Sequence, residues 1–75
     1  MPGDGHAIAV HLDDMLRARE MTLTELSTRA DITIANLSVL KNDRARAIRF
    51  STLSALCATL DCQPGDLISY APGQA

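Results

Sequence analysis

Residues 33–49 collect the side chains in this chain best suited to reading flat hydrogen-bonding edges and gripping a polyanion. Asn36 carries an amide with donor and acceptor side by side, the fork that pairs bidentately with an adenine edge. Ile34, Ala35 and Val39 offer methyl groups that can meet thymine methyls, a weaker kind of readout. Thr33 and Ser38 bring hydroxyls within reach of phosphate oxygens, and the Asn42 amide can donate to the same kind of group. Lys41, Arg44, Arg46 and Arg49 follow at once. Cations so placed supply affinity and salt dependence rather than sequence choice.

Two short helices must position these groups. Thr22 and Glu25 form the pair that caps a helix over about 23–30, with Leu23, Leu26 and Ala30 at i, i+3 and i+7 on one face. Thr33 can cap a second helix over about 34–41, with Leu37 and Leu40 inward. Helices this short do not stand alone in water, so each must pack on the other and on the rest of the chain. The outward face of the second then shows Thr33, Ala35, Asn36 and Val39, with Ile34 partly exposed. A tight helix-turn-helix of this kind can offer its second helix to a DNA major groove.

The rest of the chain supplies the support. Ala7 to Leu12 alternates, with Ile8, Val10 and Leu12 on one side, a short strand signal. A helix over about 12–20 turns Leu12, Met15 and Leu16 inward. It places Asp13 and Asp14 in its first turn and Arg17 and Arg19 in its last, where they suit the helix dipole as surface charges. Ile48 and Phe50 tuck the polar connection after residue 42 back onto the core. Ser51 caps a helix over about 52–60 that carries Leu53, Leu56, Cys57 and Leu60. Pro64 opens a last short helix over 64–68, whose Leu67 and Ile68 can close the core. Ile68-Ser69-Tyr70 can instead be extended and pair with residues 7–10. The expected core is Leu16, Leu26, Ile32, Leu37, Leu40, Leu53, Leu56 and Leu60, and the expected fold is all-α with room for short terminal strands. Residues 1–6 and 72–75 read as loose ends of a single domain spanning 1–75.

Size and charge narrow the partners. A chain of 75 residues buries only roughly 60% of its unfolded surface, so modest or dimer-assisted stability is expected. With no Trp, one Phe and one Tyr, the core must be aliphatic. No apolar run nears the roughly 20 residues that span a bilayer, and no signal-peptide pattern is present, so the expected location is cytoplasmic. The net charge of −2 argues against an indiscriminate nucleic-acid binder. Its distribution says more. From Arg29 to Arg49, five cations face only Asp31 and Asp43, a local balance of +3, while the remainder carries Arg17 and Arg19 against seven acids, −5. One cationic face on an acidic body is the pattern.

Cys57 and Cys62 are the only cysteines, and their spacing matches no common zinc knuckle. Cys57 reads as a small core residue and both thiols as reduced. His6 and His11 lie at the far end of the chain. No metal, cofactor or small-molecule ligand is expected. No glycine-rich phosphate loop, no Ser-His-Asp arrangement and no catalytic carboxylate pair is visible, so no enzyme is expected.

Over about residues 12–70 the chain resembles the Cro/C1-type (XRE-type) helix-turn-helix regulators, in their compact single-domain branch. The resemblance is carried by Met21-Thr22-Leu23-Thr24-Glu25-Leu26, Ile32-Thr33, Leu37-Ser38-Val39-Leu40-Lys41-Asn42, Phe50-Ser51-Thr52-Leu53 and Leu60-Asp61-Cys62-Gln63-Pro64-Gly65-Asp66-Leu67. It implies a lambda-repressor-like bundle of four to five helices. It places Ile34, Ala35, Asn36 and Val39 against bases, and Thr33, Ser38, Lys41, Asn42, Arg44, Arg46 and Arg49 along phosphates. Asp31 and Asp43 stand where the family commonly has Gly in a left-handed conformation, which Asp tolerates better than most residues. Ile34, Ala35, Val39 and Leu23 stand where relatives often carry polar groups.

The expected function is sequence-specific binding of double-stranded DNA by a transcriptional regulator. The simpler form is a repressor, acting as a homodimer on a pseudo-palindrome. The dimer contact is expected near Ile8, Val10, Leu67, Ile68 and Tyr70. The alternative is a protein-interaction module on the same scaffold, antitoxin-like or regulator-binding, that uses the apolar residues of the second helix or the strand-like termini.

Overall fold

A computed structural model describes residues 7–42 and 45–72. Along the chain run β1 (Ile8–Val10), α1 (Leu12–Ala18), α2 (Leu23–Ala30), α3 (Ile34–Lys41), α4 (Phe50–Leu60), α5 (Pro64–Leu67) and β2 (Ile68–Tyr70). The five helices form the body. The two strands pair antiparallel with Ile8 opposite Tyr70, Ala9 opposite Ser69 and Val10 opposite Ile68, so the extended alternative at 68–70 is the one adopted. Hydrogen bonds from Ala71 N–H to the Ala7 carbonyl and from His11 N–H to the Leu67 carbonyl, each 2.7 Å, close the ladder at both ends. No described helix is long and apolar enough to cross a membrane.

Every buried residue among those described is a leucine: Leu12, Leu16, Leu26, Leu37, Leu40, Leu56, Leu60 and Leu67. Each helix contributes at least one, which lets helices too short to persist alone hold each other in place. Ile32 and Leu53, expected inside, are half-buried and pack against this cluster.

Three helices stop in the same way. Glu20, Asp31 and Asp61 adopt φ of 52°, 57° and 51°, the left-handed region. The next residue then turns its N–H back onto the carbonyl five positions earlier: Met21 to Leu16 at 2.9 Å, Ile32 to Ser27 at 3.1 Å, Cys62 to Cys57 at 3.0 Å. This closure satisfies orphan carbonyls and normally takes Gly at the left-handed residue. Here an acidic residue fills it each time. The left-handed turn at Glu20 explains why α1 ends at Ala18, two residues before the expected end.

Three further expectations are corrected. α4 starts at Phe50, with Arg49 in the capping position and no side-chain cap, so Ser51 lies inside the helix. Ile48, with Ala45, packs the connection against the core, but Phe50 does not; the chain turns into α4 there and leaves Phe50 88% exposed. Arg19, expected to be a dipole-stabilising surface charge on α1, reaches 41 residues along the chain. Its Nε donates to the Leu60 carbonyl at 2.7 Å and its Nη2 to the Asp61 carbonyl at 3.0 Å. It thereby caps the negative end of α4, where Asp61 is electrostatically misplaced.

Candidate nucleic-acid interface

The geometry of the interface starts in the turn between α2 and α3. The Thr22 Oγ1 accepts from Glu25 N–H at 3.1 Å, and Glu25 Oε1 accepts from Thr22 N–H at 3.1 Å, which fixes where α2 begins. At its other end Ser27 is held twice: its carbonyl accepts from Ile32, and its Oγ donates to the Ile32 carbonyl at 2.6 Å. Thr33 Oγ1 then accepts from Asn36 N–H at 3.2 Å and starts α3 at once. The turn is therefore pinned from both helices, and the direction of α3 with it. Ser27 was missed from the sequence because a serine within a helix signals nothing until the turn is in place.

α3 divides as expected. Leu37 and Leu40 are buried. Thr33, Ala35, Asn36, Lys41 and Asn42 are exposed, together with Ile34 at 45% and Val39 at 38%; Ser38 is half-buried. Asn36 uses its main-chain N–H for the cap, and its side-chain amide has no hydrogen-bond partner among the described residues.

Behind α3, an open cleft of about 430 Å³ is lined by Asn36 and Val39 on one wall and by Arg46, Ala47, Arg49 and Thr52 on the other. Arg46 and Arg49 are exposed, so the structure brings two of the cations beside the outward face of α3. Arg44 and Asp43 lie outside the described residues. Lys41 is tied elsewhere: its Nζ sits 3.8 Å from Asp13 Oδ2 on α1. Any phosphate taking Lys41 must compete with that carboxylate, a coupling the sequence did not reveal because the pair is 28 positions apart.

The residues expected at a dimer contact lie together at the strand pair, with one exception. Ile8 is 38% and Tyr70 71% exposed, directly opposite each other, and Val10 and Ile68 are half-buried. Leu67 is 3% exposed and closes the core of its own chain, because α5 turns it under the bundle; its placement at the dimer contact is corrected. His11 is engaged locally, its Nε2 2.6 Å from Ser69 Oγ. His6 lies outside the described residues, which contain no group of three or more residues able to hold a metal ion.

Comparison with known proteins agrees with the helix-turn-helix fold. Residues 11–73 match the family described as Cro/C1-type HTH DNA-binding domain. The chain is also 58% identical over 64 residues to an uncharacterized HTH-type transcriptional regulator, YozG, of Bacillus subtilis (strain 168), covering 85% of this chain and 76% of that protein.

Proposed function

The chain belongs to the Cro/C1-type helix-turn-helix DNA-binding family, and from that premise we propose a sequence-specific transcriptional repressor that acts as a homodimer. The observation that carries the proposal is the outward face of α3. Its one side chain capable of a bidentate base contact, Asn36, is exposed and unengaged among the described residues, beside methyl-bearing Ile34, Ala35 and Val39. Asn36 reads adenine; the three apolar residues read thymine methyls. Thr33, Ser38, Lys41, Asn42, Arg44, Arg46 and Arg49 hold phosphates on either side. Occlusion of a promoter is the direct way for a binder of this kind to regulate.

One α3 covers only a few base pairs, too few to single out a site in a genome, so two copies on half-sites about 34 Å apart are proposed. The contact proposed is the apolar patch of Ile8, Val10, Ile68 and Tyr70. The edge of β2 is poorly suited to strand addition, since the Ile68 N–H already bonds the Pro64 carbonyl and Pro72 has no N–H to give. Side-chain packing across the patch is the better fit.

Two experiments test this reading. Selection of duplexes from a random pool with the purified chain should return a short pseudo-palindrome, and sedimentation equilibrium on that duplex should show two chains per DNA. Recovery of no preferred sequence sinks the sequence-reading claim, and one chain per palindrome sinks the dimer. The exposed Ile34 and Val39 favour a second reading, a protein-interaction module, if DNA is not bound.

A further inference from the structure

Cys57 and Cys62 are placed together by the way α4 ends. Asp61 takes the left-handed conformation, and the Cys62 N–H returns to the Cys57 carbonyl at 3.0 Å. In this closure the residue two past the helix end and the one five positions before it face each other, and their side chains normally make a hydrophobic contact. The equivalent pair at the end of α1 is Leu16 and Met21, and at the end of α2 Ser27 and Ile32. At α4 both members are thiols. Both are free and half-buried, and both pack on the leucine core. The five-residue spacing signals nothing as a zinc motif, and its meaning emerges only once the left-handed turn folds it shut.

We propose that Cys57 and Cys62 form a dithiol site for small-molecule disulfides, closing to an intramolecular disulfide across the C-terminal cap of α4. The two side chains start from neighbouring positions that the main chain already fixes, as a disulfide requires. The chemistry is two exchanges with glutathione disulfide. One cysteine thiolate attacks a glutathione sulfur, the glutathione S–S bond breaks, and one glutathione thiolate leaves and takes up a proton. The second cysteine thiolate then attacks the protein sulfur of the mixed disulfide and expels the second glutathione. Two protein thiols are oxidised, one glutathione disulfide is reduced to two glutathione thiols, and two protons pass from protein to glutathione.

The surroundings set the pace. Burial pushes the Cys62 thiol above its ordinary value; the neighbouring Cys57 and the Asp66 carboxylate push the same way, and the Arg19 guanidinium opposes them. Because the thiolate is the attacking species, closure at neutral pH is slow and speeds up as pH rises. The site lies at the end of α4 away from the cleft beside α3, whose α4 lining is Thr52. The proposal is therefore independent of the DNA-binding reading.

The test equilibrates the full chain with graded mixtures of glutathione and its disulfide, natively and in denaturing urea, then alkylates remaining thiols and weighs the intact protein. The native chain should reach a closed form, two hydrogens lighter and with no thiol left to alkylate, at a disulfide excess at least about tenfold lower than the unfolded chain needs, because the fold holds the two sulfurs together. By the thermodynamic cycle, the closed form should then unfold with an equilibrium constant smaller by the same factor. Cys57→Ser and Cys62→Ser should each stop at one glutathione adduct. Closure that needs as much oxidant in the native chain as in the unfolded one overturns the proposal. So does a native chain that stops at mixed disulfides or forms only covalent dimers.

Discussion

The Ser27 hydroxyl donates to the Ile32 carbonyl at 2.6 Å, across the turn that aims α3. Ile32 in turn donates its N–H to the Ser27 carbonyl, so one helical serine holds both polar groups of the residue that begins the descent into α3. Removing the hydroxyl leaves that half-buried carbonyl without its partner, a loss of about 1 kcal/mol. Ser27→Ala should lower the urea midpoint accordingly with an unchanged slope. An unaltered midpoint means the bond does not hold the turn.

Asp31 tests the left-handed turn itself. At φ of 57° a Cβ is strained, and a carboxylate at a helix C-terminus opposes the dipole. Asp31→Gly should stabilise the chain by about 0.5–1 kcal/mol, net of the greater freedom glycine gains when unfolded, and Asp31→Val should destabilise it. For a domain of this size the glycine variant should melt a few degrees higher, roughly 2–8 °C. The reverse order of melting temperatures contradicts the assigned conformation.

Much of this architecture is legible in the sequence, and the reasons separate by range. The caps at Thr22 and Thr33 and the inward leucines are local signals, set within one or two turns, and they place α2 and α3 at their observed bounds. The strand pair needs two distant segments, yet each carries its own alternation, so it is readable as an option. What escapes is whatever depends on tertiary placement: Arg19 on the Leu60 carbonyl, Lys41 on Asp13, and Ser27 across its turn. Phe50 misleads because an aromatic beside a helix start reads as an anchor, although Ile48 already fills that place.

The Asp13 carboxylate sets a competition for Lys41. An exposed pair of this kind is worth about 0.2–1 kcal/mol, and DNA must displace it. Asp13→Asn should therefore tighten binding to every duplex, by roughly twofold to fivefold at low salt, and steepen the salt dependence as Lys41 becomes fully available. A gain confined to one sequence, or none, would remove Lys41 from the phosphate contacts.

The central claim is that α3 reads bases through Asn36 while the cations behind it hold the backbone. It is tested most directly by fluorescence anisotropy of Asn36→Ala and Arg46→Ala on matched specific and scrambled duplexes across a salt series. Asn36→Ala should cost roughly 1–3 kcal/mol on the specific duplex only and relax choice at one base pair. Arg46→Ala should weaken both duplexes alike and make the salt slope shallower by about one phosphate contact. If both variants bind both duplexes as the parent chain does, α3 is not a DNA-reading helix and its exposed face serves a protein partner.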